Sequence, residues 1–126
     1  MSVPPEVGEL IAGARPSAHV ATSVEDRPHV APVWYVYDDG GLSFVTDGRK
    51  LEHLRRNPRV AVSIERPREG DAEWSVTLLG TATGVEDEDR VAPVATRTFE
   101  KYDSGEDYPF QPLVEVEVRT AAASVY

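Results

Sequence analysis

The sequence predicts a mainly β protein with a few short helices, a small antiparallel barrel of six strands. Three observations carry that expectation. Apolar residues recur at a period of two in several stretches, and compact turn signals such as "DDGG" and "REGDA" join them. Only "EDEDRVAPVATRTFEKYD" has the length and pattern of a helical crossover. A parallel α/β sheet would need a helix between most strands, for which the chain has no room. The 126 residues, 40% hydrophobic and 28% charged, suit one globular domain spanning 1–126. A chain of this length buries roughly two-thirds of the surface its unfolded form exposes.

Taken in order, "PPEVGELIAGA" predicts a short helix: Pro4 and Pro5 suit its start, and Val7, Leu10 and Ile11 share a face. In "SAHVATSV" the period changes to two, with Ala18, Val20, Thr22 and Val24 on one side. "EDR" makes a tight connection to "PHVAPVWYVYDD", read as one continuous second strand. "DDGG" is a hairpin turn, because glycine accepts positive φ cheaply, and "LSFVT" returns as the third strand. After a basic segment come "RVAVSIE" and the long "EWSVTLLGTATGV". The crossover helix opens on acidic residues, as the helix dipole prefers, and Pro93 is expected to break or restart it. "LVEVEVRTAAASV" closes the barrel with Val114, Val116 and Val118 inward.

Composition narrows the function. A net charge of −9 and a pI near 4.7 argue against general nucleic-acid binding, which needs a broad basic face. No apolar run approaches the roughly 20 residues that span a bilayer. The N-terminus lacks the basic opening of a signal peptide, and the chain has no Cys, so a cytoplasmic setting is expected, without disulfides, thiolate catalysis or Cys-based zinc. The acidic surface fits either salt adaptation or no special role.

Against that background, "TDGRKLEHLRRNPRV" holds five of the thirteen Lys and Arg residues. Asp47 is the expected N-cap of a short helix, Leu51 and Leu54 its apolar side, and Asn57-Pro58 its end. Arg55 and Arg56 then fall in the last turn, where positive charge is favourable for structural reasons alone. Arg49 and Lys50 fall in the first turn, which is already electropositive and carries N–H groups without intrahelical partners. Cations there are unfavourable unless an anion sits among them. With Gly48 and the Thr46 hydroxyl they describe a phosphate site; the alternative is a solvated loop paired with nearby acids.

The run "HVATSVEDRPHVAPVWYVYDDGGLSFVTDGRKLEHLRRNPRVAVSI", followed by "EWSVTLLGTATGV", resembles the pyridoxamine 5′-phosphate oxidase-like family of flavin-binding split β-barrels. The resemblance implies a homodimer holding FMN, or a related deazaflavin coenzyme, in grooves across the subunit interface. It implies phosphate contacts from Arg49 and Lys50, with Thr46 close by. It also implies that Pro32, Val33 and Trp34 line the ribityl chain and ring. Trp74 and the Gly80-Thr81-Ala82 step would reach the partner's flavin. From the residues alone, Trp34 and Trp74 serve core or interface packing equally well, and a plain bulge accounts for Gly80.

Three departures qualify the resemblance. "TDG" is a short loop that offers fewer donors for phosphate, and His53 stands where the family often has Asn. The chain ends straight after its last strand, so vitamin B6 oxidation is not expected. The scarcity of basic residues leans toward FMN over a deazaflavin with an acidic tail. His19, His29 and His53 show no metal-ligand spacing, and no serine has a nucleophile-elbow context. The expected function is therefore a flavin-dependent oxidoreductase, with NADH or NADPH as possible donor. The alternatives are a non-enzymatic flavin, haem or nucleotide module and a deazaflavin-dependent reductase on the same fold.

Overall fold

Val7 and Ile11, one helical turn apart, are buried by the first element, α1 (Pro5–Ala12), which Pro4 and Pro5 open as expected. The computed structural model describes residues 3–102 and 111–126. Among the described residues seven strands follow: β1 (Ala18–Val24), β2 (Arg27–Val33), β3 (Val36–Asp38), β4 (Gly41–Val45), β5 (Arg59–Arg68), β6 (Asp71–Val85) and β7 (Leu113–Val125). Helix α2 (Gly48–Arg56) separates β4 from β5, and α3 (Glu88–Lys101) crosses from β6 to β7. Among the described residues no helix is long and apolar enough to cross a membrane.

All seven strands join one antiparallel sheet in the order β2-β1-β5-β6-β7-β4-β3. The expected second strand is therefore two: it divides at Trp34-Tyr35, and its halves lie at opposite edges of the sheet. Three Cα steps from Val33 to Val36 span at most about 11 Å. The sheet must therefore curl until its edges nearly meet, yet those edges are not hydrogen-bonded to each other. This is a split barrel. Pro28 and Pro32 suit β2 to its edge position, because neither has an N–H to offer a further strand.

The interior follows from the alternation. Val20, Val62, Ile64, Val76, Leu78, Val114, Val116 and Val118 point inward, with Tyr35, Phe44 and Leu42 among the largest fully buried side chains. Two glycines set distances inside this frame. A Cβ on Gly80 would lie 2.5 Å from the Glu117 carbonyl oxygen, so β7 itself is what approaches the backbone there, beside a register shift between Leu79 and Gly80. A Cβ on Gly84 would meet Leu51 Cδ1, so Gly84 leaves room for the residue that seats α2 on β6.

Pro93 does not break α3, which runs through it. The carbonyl that loses its partner belongs to Asp89, an exposed first-turn residue that water can reach. Asp87 caps the helix by accepting from the Asp89 N–H at 3.0 Å, so "EDED" acts as a helix start. Asp103, the last residue of the expected helix, lies outside the described residues.

Candidate cofactor site

Helix α2 begins where the sequence places it. Asp47 is the N-cap, and its carboxylate accepts the Lys50 backbone N–H at 2.8 Å. Leu51 and Leu54 are buried, and Asn57 leaves the helical region at φ −143° before Pro58. Arg55 and Arg56 pair with Glu86 and Glu25, in keeping with a structural role at the helix end.

The first turn is different. Among the described residues neither Arg49 nor Lys50 forms an ion pair, in a chain with 22 carboxylates. Lys50 is half-buried, and burial lowers its ammonium pKa, with the Asp47 carboxylate pulling the other way. A desolvated, unpaired ammonium is a state that a bound anion relieves. Asp47 also takes one of the first-turn N–H groups that an anion could have used. The side chains, more than the helix end, would therefore hold a phosphate.

A cavity of about 270 Å³ lies between α2, the end of β2 and α3. Its lining brings together five of the residues named from the sequence: Pro32, Val33, Trp34, Thr46 and Lys50. Asp47 lines it too. Arg49 is exposed and outside the lining. Trp74 is buried in the barrel core, only 4% exposed, and does not border this cavity. Thr46 is buried, with its backbone N–H donated to the Pro112 carbonyl at 2.9 Å.

The far wall comes from α3 and the residues after it: Thr98, Phe99 and Gln111. Sequence reading treats this helix only as a crossover and misses them. Its last turn also holds the Trp34-Tyr35 crossing in place. The Tyr102 ring stacks on Trp34 at 4.9 Å, and its hydroxyl donates to the Pro16 carbonyl at 3.2 Å. Lys101 Nζ donates to the Tyr35 carbonyl at 3.1 Å and lies 3.6 Å from the centre of the Tyr35 ring. Burial lowers the Lys101 pKa to about 8. Tyr35 is fully buried and donates its hydroxyl to the Ile11 carbonyl at 2.7 Å; burial first, and Tyr102 second, raises its phenol pKa. The only available signal for this wall was the amphipathic pattern of α3, which says that one face is covered but not by what.

The family model for pyridoxamine 5′-phosphate oxidase matches residues 5–125, and the chain belongs to that family in its broad sense. Solved structures agree on the fold. A FAD-binding protein from Mycobacterium smegmatis is 23% identical, with 98% of this chain and 97% of that one covered and a TM-score of 0.70. A protein described as an F420 reductase is 22% identical over 94% and 98% of the two chains, at a TM-score of 0.77. A FAD-binding protein from Mesorhizobium loti is 19% identical over 96% and 94%, at 0.73. Among curated proteins no sequence matches.

Proposed function

We propose that this protein is a homodimeric flavin-dependent oxidoreductase, with FMN the smallest flavin its site would hold. The observation that carries the reading is Lys50: half-buried, desolvated and in no ion pair among the described residues, in the lining of a cavity whose one other charged residue is Asp47, the helix cap. Lys50 and Arg49 would hold the phosphate, with Thr46 beside them. Pro32, Val33 and Trp34 would border the ribityl chain and ring. A bound flavin would accept a hydride from a reduced nicotinamide or small organic donor and pass it on. The chain's part is to bind and orient the ring and to keep water from one of its faces.

Two features support a dimer. At about 270 Å³ the cavity falls just below the ~300–1,000 Å³ usual for small-molecule sites, so a second wall is needed. Across the outer face of the sheet, Val30, Ala21, Ala61, Leu79 and Thr120 form a single uncharged row in register. Val30 is 61% and Leu79 51% exposed, in a chain otherwise rich in surface charge. The next row runs Pro32, His19, Ser63, Thr77, Ala122. Pro32 also lines the cavity, so a second copy seated on this face would stand at the cavity's open side. Trp74, buried within its own barrel, would act on the partner's flavin only by shaping that face.

The test is an absorbance spectrum of the purified protein, followed by FMN titration read by fluorescence quenching and sedimentation. The expected result is a yellow or flavin-stabilised dimer, reduced on addition of NADH or NADPH. Bound flavin that no donor reduces would favour a binding module. A protein indifferent to every flavin would sink the reading.

A further inference from the structure

Only one of the chain's three histidines stands on the outer face of the sheet. His29 pairs in register with the buried Thr22, so its side chain lies on the other side of β2, where it borders a cavity together with His53. His19 pairs with Pro32 on β2 and with Ser63 on β5, in the row that runs on to Thr77 and Ala122. It is exposed, and among the described residues its side chain has no hydrogen-bond or ion-pair partner.

The charges of this face stand at its flanks. The row on one side holds Arg59, Thr81 and Glu117, and the row on the other holds Glu65, Ser75 and Ser124. Strands β1 and β2 add none, since the residues in phase with His19 are Ala21 and Ser23 on the first and Pro28, Val30 and Pro32 on the second. Arg15 lies ahead of β1, before His19 in the chain. Between the flanks run the two uncharged rows, Val30 to Thr120 and Pro32 to Ala122, roughly 19 Å across at the usual strand spacing. His19 is their one titratable side chain.

Imidazoles ordinarily change charge between pH 5 and 8. A neutral ring can be covered at little cost, because hydroxyls or trapped water satisfy its two nitrogens. An imidazolium covered by a second copy would have no carboxylate in its own two rows, and burying an unpaired charge costs far more. We infer that His19 makes the seating of a second copy on this face proton-dependent: the neutral imidazole admits the copy and the imidazolium expels it. This rests on the dimer proposed for this face. In a two-fold contact the same patch serves both chains, so two imidazoles must be neutral in each dimer. Repulsion between two chains of net charge −9 acts in the opposite direction, because acid lowers it. Salt screens that repulsion beyond about 8 Å and leaves the desolvation in place. The two causes therefore differ in sign.

The experiment measures dimer dissociation of the full-length protein by sedimentation equilibrium, at about pH 7.5 and about pH 5.5 in roughly 0.15 M salt. Wild type is expected to dissociate about 10- to 100-fold more readily at the lower pH, up to about tenfold for each excluded imidazolium. His19→Gln keeps a polar side chain but takes no proton, and should bring that ratio to about one or below. His29→Gln and His53→Gln, changes away from this face, should leave the ratio as in wild type. A dimer equally strong at both pH values overturns the switch and leaves the dimer standing, as does a weakening in acid that survives His19→Gln. A dimer that tightens in acid through His19 overturns it too, because a carboxylate would then meet the ring across the contact. A protein that stays monomeric at both pH values removes the dimer reading and this inference together.

Discussion

The chain has only two lysines, and they stand in opposite surroundings. Each is half-buried, and burial lowers the pKa of each. Lys50, in the first turn of α2, has an unmatched ammonium facing a cavity. Lys101, in the last turn of α3, is consumed by the protein itself: one carbonyl accepts from it and two tyrosine rings face it. On the function proposed above, the contrast is between a binding cation and a structural one. Burial alone does not make a lysine functional. What matters is whether the protein has already supplied the electron-rich partner that burial makes necessary.

Exchange of each lysine should therefore move a different observable. Lys50→Ala should weaken flavin binding by roughly 10- to 150-fold, the value of a charge-assisted phosphate contact of about 1.5–3 kcal/mol. The unliganded protein should melt close to wild type, because the fold makes no use of that ammonium. Wild-type affinity in this variant would remove Lys50 from the phosphate site and erase the contrast. Lys101→Ala should do the reverse. Loss of the hydrogen bond to the Tyr35 carbonyl and of the ring contacts should cost about 1–2 kcal/mol. At this chain length that is a fall in Tm of roughly 3–8 °C. Flavin affinity should drop less than in Lys50→Ala, and only through a looser Trp34. A Lys101 variant that melts normally yet loses flavin as Lys50→Ala does would show that the cation acts on the ligand.

How far these roles were legible beforehand follows from the range of each signal. The setting of Lys50 could be read because it is local: the Asp47 cap, the first turn and the cation within it all fall within five residues. The strands were legible for the same reason, since alternation is a property of neighbours. The break at Trp34-Tyr35 was not, because the apolar run from Val33 to Tyr37 carries no turn residue. What bends it is a sheet whose two edges come together there. Lys101 and Tyr102 were invisible in the same way. They act on residues more than 60 positions away, and nothing near them in the chain announces it. Pro93 misleads by obeying a local rule whose penalty the exposed first turn absorbs.

The pH dependence sharpens the comparison most, because it gives the two lysines opposite signs. Lys101 titrates near pH 8 in the folded protein and near 10.5 in the unfolded chain. Between those values the unfolded chain holds a proton that the folded one has released, so stability rises with pH through that window. Tyr35 and Tyr102 work against this only above about pH 10, where the unfolded phenols ionise and the folded ones, raised by burial, do not. Below pH 10 the phenols drop out, and because burial lowers the pKa of Lys50 as well, it is the difference from a Lys101 variant that isolates Lys101. Over the interval from pH 8 to 10, the Tm of wild type should climb relative to Lys101→Met. The Tyr35 carbonyl and the two ring faces favour the ammonium and oppose the effect of burial. A flat difference would mean that they cancel it, and that Lys101 stays charged throughout. Lys50 should show its acidity in binding instead. An anion favours its proton, so flavin affinity should fall as pH rises in wild type and stay level in Lys50→Ala. The same side chain under the same desolvation would then stabilise the fold at one end of the molecule and release the ligand at the other.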